Sequence, residues 1–459
     1  MRGSFLDNLV AYGSALASAM PASQQAACGI SLAVFFPVMR KVLVRGSFWL
    51  LWLWLSSNTV LADVTPGSFW KGVTGYLDPR GWPFIPIPEV GTDPNGETTI
   101  GILPVFLFLD EKKQINRIFN FDVTYNPTLG VGTSAQILSY PSADTQWSAT
   151  AGIREHIDRY VDLAYATGLN RDRWWSFEGR LLFERDPTDR FFGFGNHSDS
   201  DNETNYTIEQ EYVFARFGLN FRRDLQLALD LRPRFVRIER GAFDTLPFTG
   251  TQFPTLKGLR RGSNELLSRI FLTYDTRNSR NVPTQGSLIS LWGGITDRAF
   301  LSSVSYSAFG LDARHYQPLH PRVILVGHVA FQYMPVGRDA PFWALSRLGG
   351  DRTEVGYRQP LRGFGEARFV DRNLFAAAME LRTRVYERDI FGTHGVLELA
   401  PFVDLGRVFH SMNTNPLSGL HPVGGLGFRG IATPFVVGYV DIGYGSEGVA
   451  VFSGVNYPF

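Results

Sequence analysis

The setting of Arg362 indicates ion pairing as the chemistry to look for in this sequence. It lies in the stretch LRGFGEARFVDRNLFAAAMELR (residues 361–382), where Gly363 and Phe364 follow it. An alternating run just downstream carries Glu380 and Arg382 on one face. A guanidinium group binds a carboxylate through two parallel hydrogen bonds, so these side chains are suited to pairing with each other.

The next alternating run offers a second carboxylate for Arg362. Asp404, followed by Gly406, shares the polar face of its strand, and alternation places Glu380 on the same side of the sheet. Either carboxylate is therefore a candidate partner. In a partly dehydrated interior, loss of one partner would cost about 3–5 kcal/mol. The alternative is that Arg362 is a solvated loop residue, as most arginines are.

Other chemistry is not indicated, and we expect neither an enzyme nor a cofactor or metal site. The eight histidines show no metal-ligand spacing, and there is no Gly-x-Ser-x-Gly sequence. The stretch NHSDSDNE (196–203) lacks the spaced glycine and final glutamate of a calcium loop and suits a solvated loop better. Cys28 is the single cysteine, which excludes a disulfide framework, and a net charge of +1 gives no reason to expect nucleic acid.

The elements that position these residues are long strands with a period of two. In residues 225–235, leucines alternate with Gln226, Asp230, Arg232 and Arg234. Runs of this length suit tilted strands that cross a bilayer, with the apolar face towards lipid. A soluble sandwich, the alternative, would use shorter strands.

Seventeen strand candidates follow from this pattern. Single-chain bacterial barrels have even numbers of strands, so we predict an all-β fold with one 16-stranded antiparallel transmembrane β-barrel. The candidate broken by Pro127 is the one expected to be false or fused with a neighbour. The candidates are 102–109, 116–125, 129–139, 145–153, 158–168, 174–185, 207–221, 225–239, 266–275, 286–296, 303–316, 320–333, 374–386, 396–409, 421–431, 434–444 and 449–458.

The N-terminal part of the sequence is predicted to direct secretion. From Met39 a basic start is followed by a short apolar core and a small-residue exit at Ala62, as in a signal peptide. Residues 1–62 are thus an extension plus signal, with Met39 as the expected true start. Residues 63–97 are rich in proline and glycine and are expected to form an irregular periplasmic segment, too short for a folded accessory domain. The barrel is expected over 98–459.

Two further segments carry predictions. The connection 334–373 is long but rich in aromatic residues, so we expect it to fold into the barrel lumen. The C-terminal sequence VFSGVNYPF places Tyr457 and Phe459 on one face of a closing strand.

These features resemble the BamA/TamA-type insertase and two-partner secretion transporter superfamily. The resemblance rests on the Arg-Gly-Phe tip at 362–364, the Glu-Leu-Arg strand with Glu380 and Arg382, and the Asp-x-Gly strand with Asp404 and Gly406. YDTRNSRNVPTQGSLISL (274–291) is similar to a strand end and periplasmic turn of the same family. The resemblance covers roughly 98–459 and suggests a short member without the family's periplasmic POTRA domains.

The resemblance implies a function and partners. Such a protein would lie in the outer membrane of a Gram-negative bacterium and translocate or insert polypeptide or lipid, with a weak seam between its first and last strands. Its loop would place Arg362 against lumenal carboxylates, and the terminal aromatic would be a signal to the barrel assembly machinery. Expected partners are outer-membrane lipid, that machinery and a separate periplasmic protein. The alternatives are a passive porin gated by the 334–373 loop and a surface-antigen or structural barrel.

Overall fold

A computed structural model describes residues 84–91, 98–111, 115–156, 158–259, 262–337, 339–390, 393–413, 415, 417–432 and 435–459. The predicted extension and signal peptide, and most of the segment 63–97, lie outside these residues. No helix in the described ranges is both long and apolar enough to cross a membrane.

The described chain is almost entirely β-strand. The strands are β1 (Phe84–Gly91), β2 (Thr99–Leu109), β3 (Ile115–Asn126), β4 (Gly130–Ser142), β5 (Thr145–Arg154), β6 (Arg159–Thr167), β7 (Trp175–Phe191), β8 (Thr204–Arg222), β9 (Leu225–Arg240), β10 (Ser263–Asp275), β11 (Gly286–Thr296), β12 (Tyr306–His320), β13 (Val323–Val336), β14 (Ser346–Leu348), β15 (Arg358–Gln359), β16 (Phe369–Asp371), β17 (Asn373–Ile390), β18 (Thr393–Phe409), β19 (His421–Ala432), β20 (Phe435–Gly445) and β21 (Gly448–Gly454). The one α-helix among the described residues is the single turn Thr249–Gln252, and 3-10 turns occur at Ser200–Asn202 and Phe342–Ala344.

Eighteen of the described strands form one large sheet in chain order. Each pairs antiparallel with the next, and β13 pairs directly with β17. The remaining three make a small separate sheet in which β14 pairs parallel with β15 and antiparallel with β16. This small sheet belongs to the connection between β13 and β17.

The large sheet has its apolar face outward and its charges inward. On β8, Phe217 is 55% and Phe221 is 62% exposed on the outer face of the sheet. Asp230 of the neighbouring strand β9 is on the inner face and is fully buried. Arg232 and Arg234 of β9 are also buried. A water-soluble sheet would have the opposite distribution, so hydrocarbon is the solvent for the outer face.

The predicted all-β barrel class is confirmed, but the predicted strand number of sixteen is wrong. All seventeen candidates correspond to strands, including both sides of Pro127, which lies in a tight turn between β3 and β4. There the Asn126 side-chain oxygen accepts hydrogen bonds from the N–H groups of Thr128 and Leu129, both at 3.0 Å. Gly130 has a φ of 75°, which glycine adopts at little cost.

The eighteenth strand, β1, comes from the segment expected to be irregular, so the sheet begins at Phe84 instead of residue 98. It contains Pro86 and Pro88, which lack N–H donors. Pro86 lies opposite Pro104 of β2, and neither residue has an N–H to donate. This is therefore a non-hydrogen-bonded pair, and the hydrogen bonds between β1 and β2 form at the residues on either side of it. The two prolines therefore turn their nitrogens away from β2, as prolines do at sheet edges.

The first and last strands of the sheet are neighbours. Cα atoms of β1 and β21 come within 8 Å of each other, but among the described residues no pairing register joins them. The edge of β1 that faces β21 is the one that carries the proline nitrogens. We call this β1–β21 junction the seam.

The two ends of the barrel differ in the length of their connections. One end has short turns such as 143–144, 223–224 and 321–322, and the other has long loops, including 192–203 and 337–372. In outer-membrane barrels the short turns are periplasmic and the long loops extracellular. The C-terminus therefore lies at the periplasmic end.

Candidate functional site

The loop between β13 and β17 lies inside the barrel. Phe342, Trp343 and Leu348 are almost completely buried, as expected for a loop that packs into the lumen. Its tip is held by backbone hydrogen bonds, from Leu361 N to the Gly350 oxygen at 3.0 Å and from Gly350 N to the Phe364 oxygen at 3.1 Å.

The Arg-Gly-Phe tip lies directly against the barrel wall. A Cβ atom on Gly363 would be 2.6 Å from the backbone nitrogen of Gly445, so only glycine fits there. Phe364 is fully buried and packs edge-on to Phe369, with ring centroids 5.2 Å apart. Gly406 of β18 makes room in the same way, because a Cβ there would be 2.9 Å from a methyl group of Leu348.

Arg362 is fully buried among three carboxylates. Its Nη2 lies 2.7 Å from Asp404 Oδ1, its Nε 2.9 Å from Asp404 Oδ2, and its backbone N–H donates to the same Oδ2 at 3.1 Å. Its Nη1 donates to Glu380 and to Asp441, the latter at 3.1 Å. The guanidinium carbon is 3.5 Å from the centre of the Phe402 ring.

The carboxylates keep Arg362 charged in this dry setting. Burial by itself would lower the pKa of Arg362, but the charges of Asp404, Glu380 and Asp441 outweigh it and raise the pKa well above its usual value. The site is therefore an ion-paired cluster, with no tendency of its arginine to lose a proton.

Two more arginines complete the cluster. Arg382 Nε donates to Glu380 Oε2 at 2.9 Å, and Arg429 donates to both oxygens of Asp441, to Oδ2 at 3.1 Å. All of these side chains are fully buried. Three arginines face three carboxylates, so the formal charges balance, which a buried ionic group requires.

The structure brings together the predicted residues Arg362, Glu380, Arg382 and Asp404. The sequence left the partner of Arg362 open between Glu380 and Asp404, and here both contact it. Sequence reasoning missed Asp441 and Arg429. Each is a charged residue on the polar face of a predicted strand. That position was the one signal in the sequence that could have indicated a lumenal ion pair.

The C-terminal residues also enter the lumen, because β21 ends at Gly454 and not at 458 as predicted. Tyr457 donates a hydrogen bond to Glu398 Oε1 at 3.2 Å, and its ring centre is 3.7 Å from the guanidinium carbon of Arg382. Phe459 stacks on His328 with ring centroids 4.8 Å apart. The role of the two aromatics as an assembly signal remains a prediction.

The cluster is suited to holding parts together. It joins the loop tip to β17, β18 and β20 through side chains on three separate strands. No set of three metal-ligating side chains occurs in the described ranges. The arrangement can fix the loop against the wall.

A protein-family model now defines the class. The Omp85 superfamily domain matches residues 144–444, more than half of the chain, including the Arg362 tip and all of its carboxylate partners. The chain therefore belongs to the Omp85 superfamily and is an outer-membrane β-barrel. The resemblance to insertases and two-partner secretion transporters is confirmed at this level. A comparison with curated protein sequences gave no match.

Solved structures with a similar arrangement include BamA from Haemophilus ducreyi lacking POTRA domains 1–3. It has 15% sequence identity and a TM-score of 0.49, and the match covers 85% of this chain and 78% of that one. CdiB from Escherichia coli has 11% identity and a TM-score of 0.45, covering 82% of this chain and 62% of CdiB. CdiB from Acinetobacter baumannii has 11% identity and a TM-score of 0.39, covering 82% and 59%. The chain thus spans less than two thirds of either CdiB.

Proposed function

We propose that this barrel translocates or inserts polypeptide or lipid at the outer membrane, using the seam as the moving part and the Arg362 loop as a fixed internal brace. Its partners are proposed to be outer-membrane lipid, the assembly machinery that inserts the barrel itself, and a separate periplasmic protein that delivers cargo. The observation that carries the proposal is a contrast within the barrel. Ion pairs join the loop to β17, β18 and β20, whereas β1 and β21 at the seam are not paired.

The seam supports this proposal because it is the weak line in the described sheet. Every other pair of neighbouring strands there has a defined register, and β1 and β21 do not. Pro86 and Pro88 remove two donors from the edge that β1 turns to β21. Opening a barrel at this line therefore breaks fewer hydrogen bonds than opening it elsewhere.

The Arg362 brace also supports the proposal, because the brace lies beside the seam. Asp441 is on β20, the neighbour of β21, so the ion pairs secure the wall up to one strand from the junction. The wall can then keep its shape while the edge strands separate.

A polar cavity borders the seam from the lumen side. It has a volume of about 390 Å³ and is lined by Glu89 of β1, by Thr353 of the loop, by Tyr439 of β20 and by Gly454 of β21. One oxygen of Glu89 is buried without a hydrogen-bond partner in the described chain. A polar space at this place suits a polypeptide backbone or lipid headgroup that passes between lumen and bilayer.

A passive pore is the second candidate, favoured by the strand number, since barrels of 16–18 strands leave room for an aqueous channel. Planar-bilayer conductance separates the two functions. A translocator is expected to be mostly closed and to open after Arg362→Ala, with Asp339→Ala as the control at an exposed position of the same loop. Steady, ion-selective openings of the wild type would support the porin and contradict our proposal.

Activity is tested in proteoliposomes. The barrel should increase the yield of a second, urea-unfolded outer-membrane barrel that reaches its heat-modifiable folded form, and Arg362→Ala should remove the increase. Equal yields with and without the wild-type protein, with and without periplasmic extract, would argue against insertion of polypeptide.

A further inference from the structure

A second cavity lies beside the polar cavity at the seam, on its periplasmic side. We call the space of about 390 Å³ described above the seam cavity and the second one the mouth cavity. The mouth cavity has a volume of about 470 Å³, and its lining includes Arg277, Arg280 and Pro283 from the connection between β10 and β11. In chain order this connection falls at the same end of the barrel as the turn 321–322, so the mouth cavity lies at the periplasmic end of the lumen.

The two cavities follow one another along the same wall of the lumen. Gln136 of β4 pairs with Thr150 of β5, and both residues line the seam cavity. The next pair on the same face, Leu138 with Ser148, lines the mouth cavity. Residues two apart on a strand are separated by about 7 Å, so the linings of the two cavities come that close to each other.

The C-terminal residues 455–459, which we call the tail, lie where the two cavities meet. Asn456 and Tyr457 line both cavities, and within the described ranges no other residue does so. Pro458 lines the seam cavity, and Phe459 lines the mouth cavity. The tail is therefore the part of the chain that divides one cavity from the other.

Side-chain contacts hold the tail in this place. The ring of Tyr457 lies over the guanidinium of Arg382, and the ring of Phe459 stacks on His328. These contacts join the tail to β17 and β13, on a different part of the wall from β21. Displacing the tail would break them and leave the pairing of β20 with β21, which ends at Gly454, intact.

Arg382 lowers the cost of displacing the tail. Its Nε donates to Glu380 at 2.9 Å, but its Nη1 and Nη2 are buried without a hydrogen-bond acceptor in the described chain. A buried donor without an acceptor is unfavourable, so water that reached these two nitrogens would offset part of the contact energy lost with the Tyr457 ring. The tail can therefore leave its site without unfolding the barrel.

We propose that the tail is a gate on a route from the periplasm through the mouth cavity into the seam cavity. With the tail in place, Tyr457 separates the two cavities. With the tail displaced, the cavities join, and cargo that enters from the periplasm reaches the seam. The inference rests on the proposed function for the nature of the cargo, and on the arrangement of the two cavities for the gate itself.

Thiol labelling tests the gate in the full chain carrying Cys28→Ser, in phosphatidylcholine nanodiscs. Thr150→Cys reports on the seam cavity, and Ser148→Cys, on the same face of β5, reports on the mouth cavity. The probe is a sulfonated maleimide, and each rate is divided by the rate of the same thiol in the urea-unfolded chain. With the tail intact, the thiol at position 150 should react about tenfold more slowly than the thiol at position 148, because it is reached only when the tail moves.

Removing the tail's rings should open the gate. Tyr457→Ala together with Phe459→Ala, which keeps the terminal carboxylate, should raise the rate at position 150 about tenfold and leave the rate at position 148 nearly unchanged. Tyr457→Ala alone is a milder variant and should raise the rate at position 150 by a smaller factor. Tyr444→Ala, on the lipid-facing side of β20, is the matched control and should change neither rate. Heat-modifiability verifies that each variant is folded.

Two results would overturn the gate. One is equal rates at positions 148 and 150 in the chain with the intact tail, and the other is a rate at position 150 that neither tail variant raises. The labelling uses no cargo, so either result would leave the proposed function standing. Failure of the insertion assay together with the expected labelling would instead leave a gated lumen in a barrel of another function, such as the passive pore.

Discussion

Arg362 and Asp404 are joined by three hydrogen bonds, two from the guanidinium and one from the Arg362 backbone N–H. Side chain and main chain of the loop tip are thus fixed to the same carboxylate on β18. A lysine at this position could keep a charge but could not reproduce the two-pronged contact. This residue pair therefore ties the loop tip to β18 through both its side chain and its main chain.

Arg362→Ala should weaken the folded barrel by about 3–5 kcal/mol, because it leaves buried carboxylates without their shared cation. Urea unfolding in detergent and heat-modifiable migration would measure the loss. Asp339→Ala, at an exposed position of the same loop where Asp339 pairs with Lys257, should behave like wild type. Equal stability of the two variants would show that the lumenal pairing contributes nothing.

Asp441→Asn tests a residue that the sequence did not point out. Asp441 accepts from both Arg362 and Arg429, so the amide should lower the free energy of unfolding by about 1–3 kcal/mol. Asp172→Asn is the control, because its pair with Arg223 is open to water and such pairs contribute little. If both variants melt at the same temperature as wild type, Asp441 is not part of the brace.

Pro86→Val together with Pro88→Val should close the seam. Two restored N–H donors can pair with β21, each with a net gain of about 0.5–1.5 kcal/mol. We expect a higher melting temperature and lower translocation or insertion activity in proteoliposomes. Pro104→Val adds a donor between β2 and β3 instead, where residues 103 and 104 have no paired partner, and should leave activity unchanged. A double variant as active as wild type would exclude the seam as the moving part.

Tyr457 should stabilise the barrel mainly through its ring. Tyr457→Phe loses the bond to Glu398 but keeps the stacking on Arg382, whereas Tyr457→Ala loses both. The alanine variant should therefore be less stable than the phenylalanine variant by about 1–2 kcal/mol in chemical denaturation. Tyr444→Ala, on the lipid-facing side of β20, is the control for loss of an aromatic ring. Identical unfolding of the two Tyr457 variants would argue against the stacking.

Asp158, in the turn between β5 and β6, should make stability depend on pH. Burial raises its pKa to about 6, helped by the nearby charge of Asp186. The folded protein thus holds this proton more tightly than the unfolded chain, and stability falls as pH rises from about 4 to 6. Asp158→Asn should melt higher than wild type near neutral pH and equal it at about pH 4. A pH profile of Asp158→Asn that runs parallel to that of the wild type would refute the assignment.

The sequence predicted the strands well where apolar and charged residues alternate along a single strand. In β9 the leucines and the charges alternate over the whole strand, because one face meets lipid and the other the lumen. β1 was missed because Pro86 and Pro88 normally interrupt strands, and only an edge position tolerates them. The end of β21 was misplaced because the alternation continues to Phe459, while Asn456, with a φ of 73°, turns the chain inward.

The charge cluster was predictable only in part. Arg362, Glu380 and Asp404 stand in motifs, but the sequence cannot say which carboxylates reach one arginine when they lie on different strands. Asp441 occurs in the glycine-rich strand YVDIGYG, where nothing local distinguishes it from an ordinary lumenal carboxylate. Its role follows from the side-by-side order of β17 to β20, which only the assembled sheet shows.

The number of strands also determines on which side of the membrane the two ends of the barrel lie. β1 and β2 form a hairpin, so the wall exceeds the expected sixteen by two and the number stays even. A barrel of this kind can gain circumference only by whole hairpins, since a single added strand would send one terminus to the opposite side of the bilayer. Removing residues 84–109 would delete the β1–β2 hairpin and leave an even number of strands. The result would be a narrower barrel with β3 as its first strand and with the same topology across the membrane.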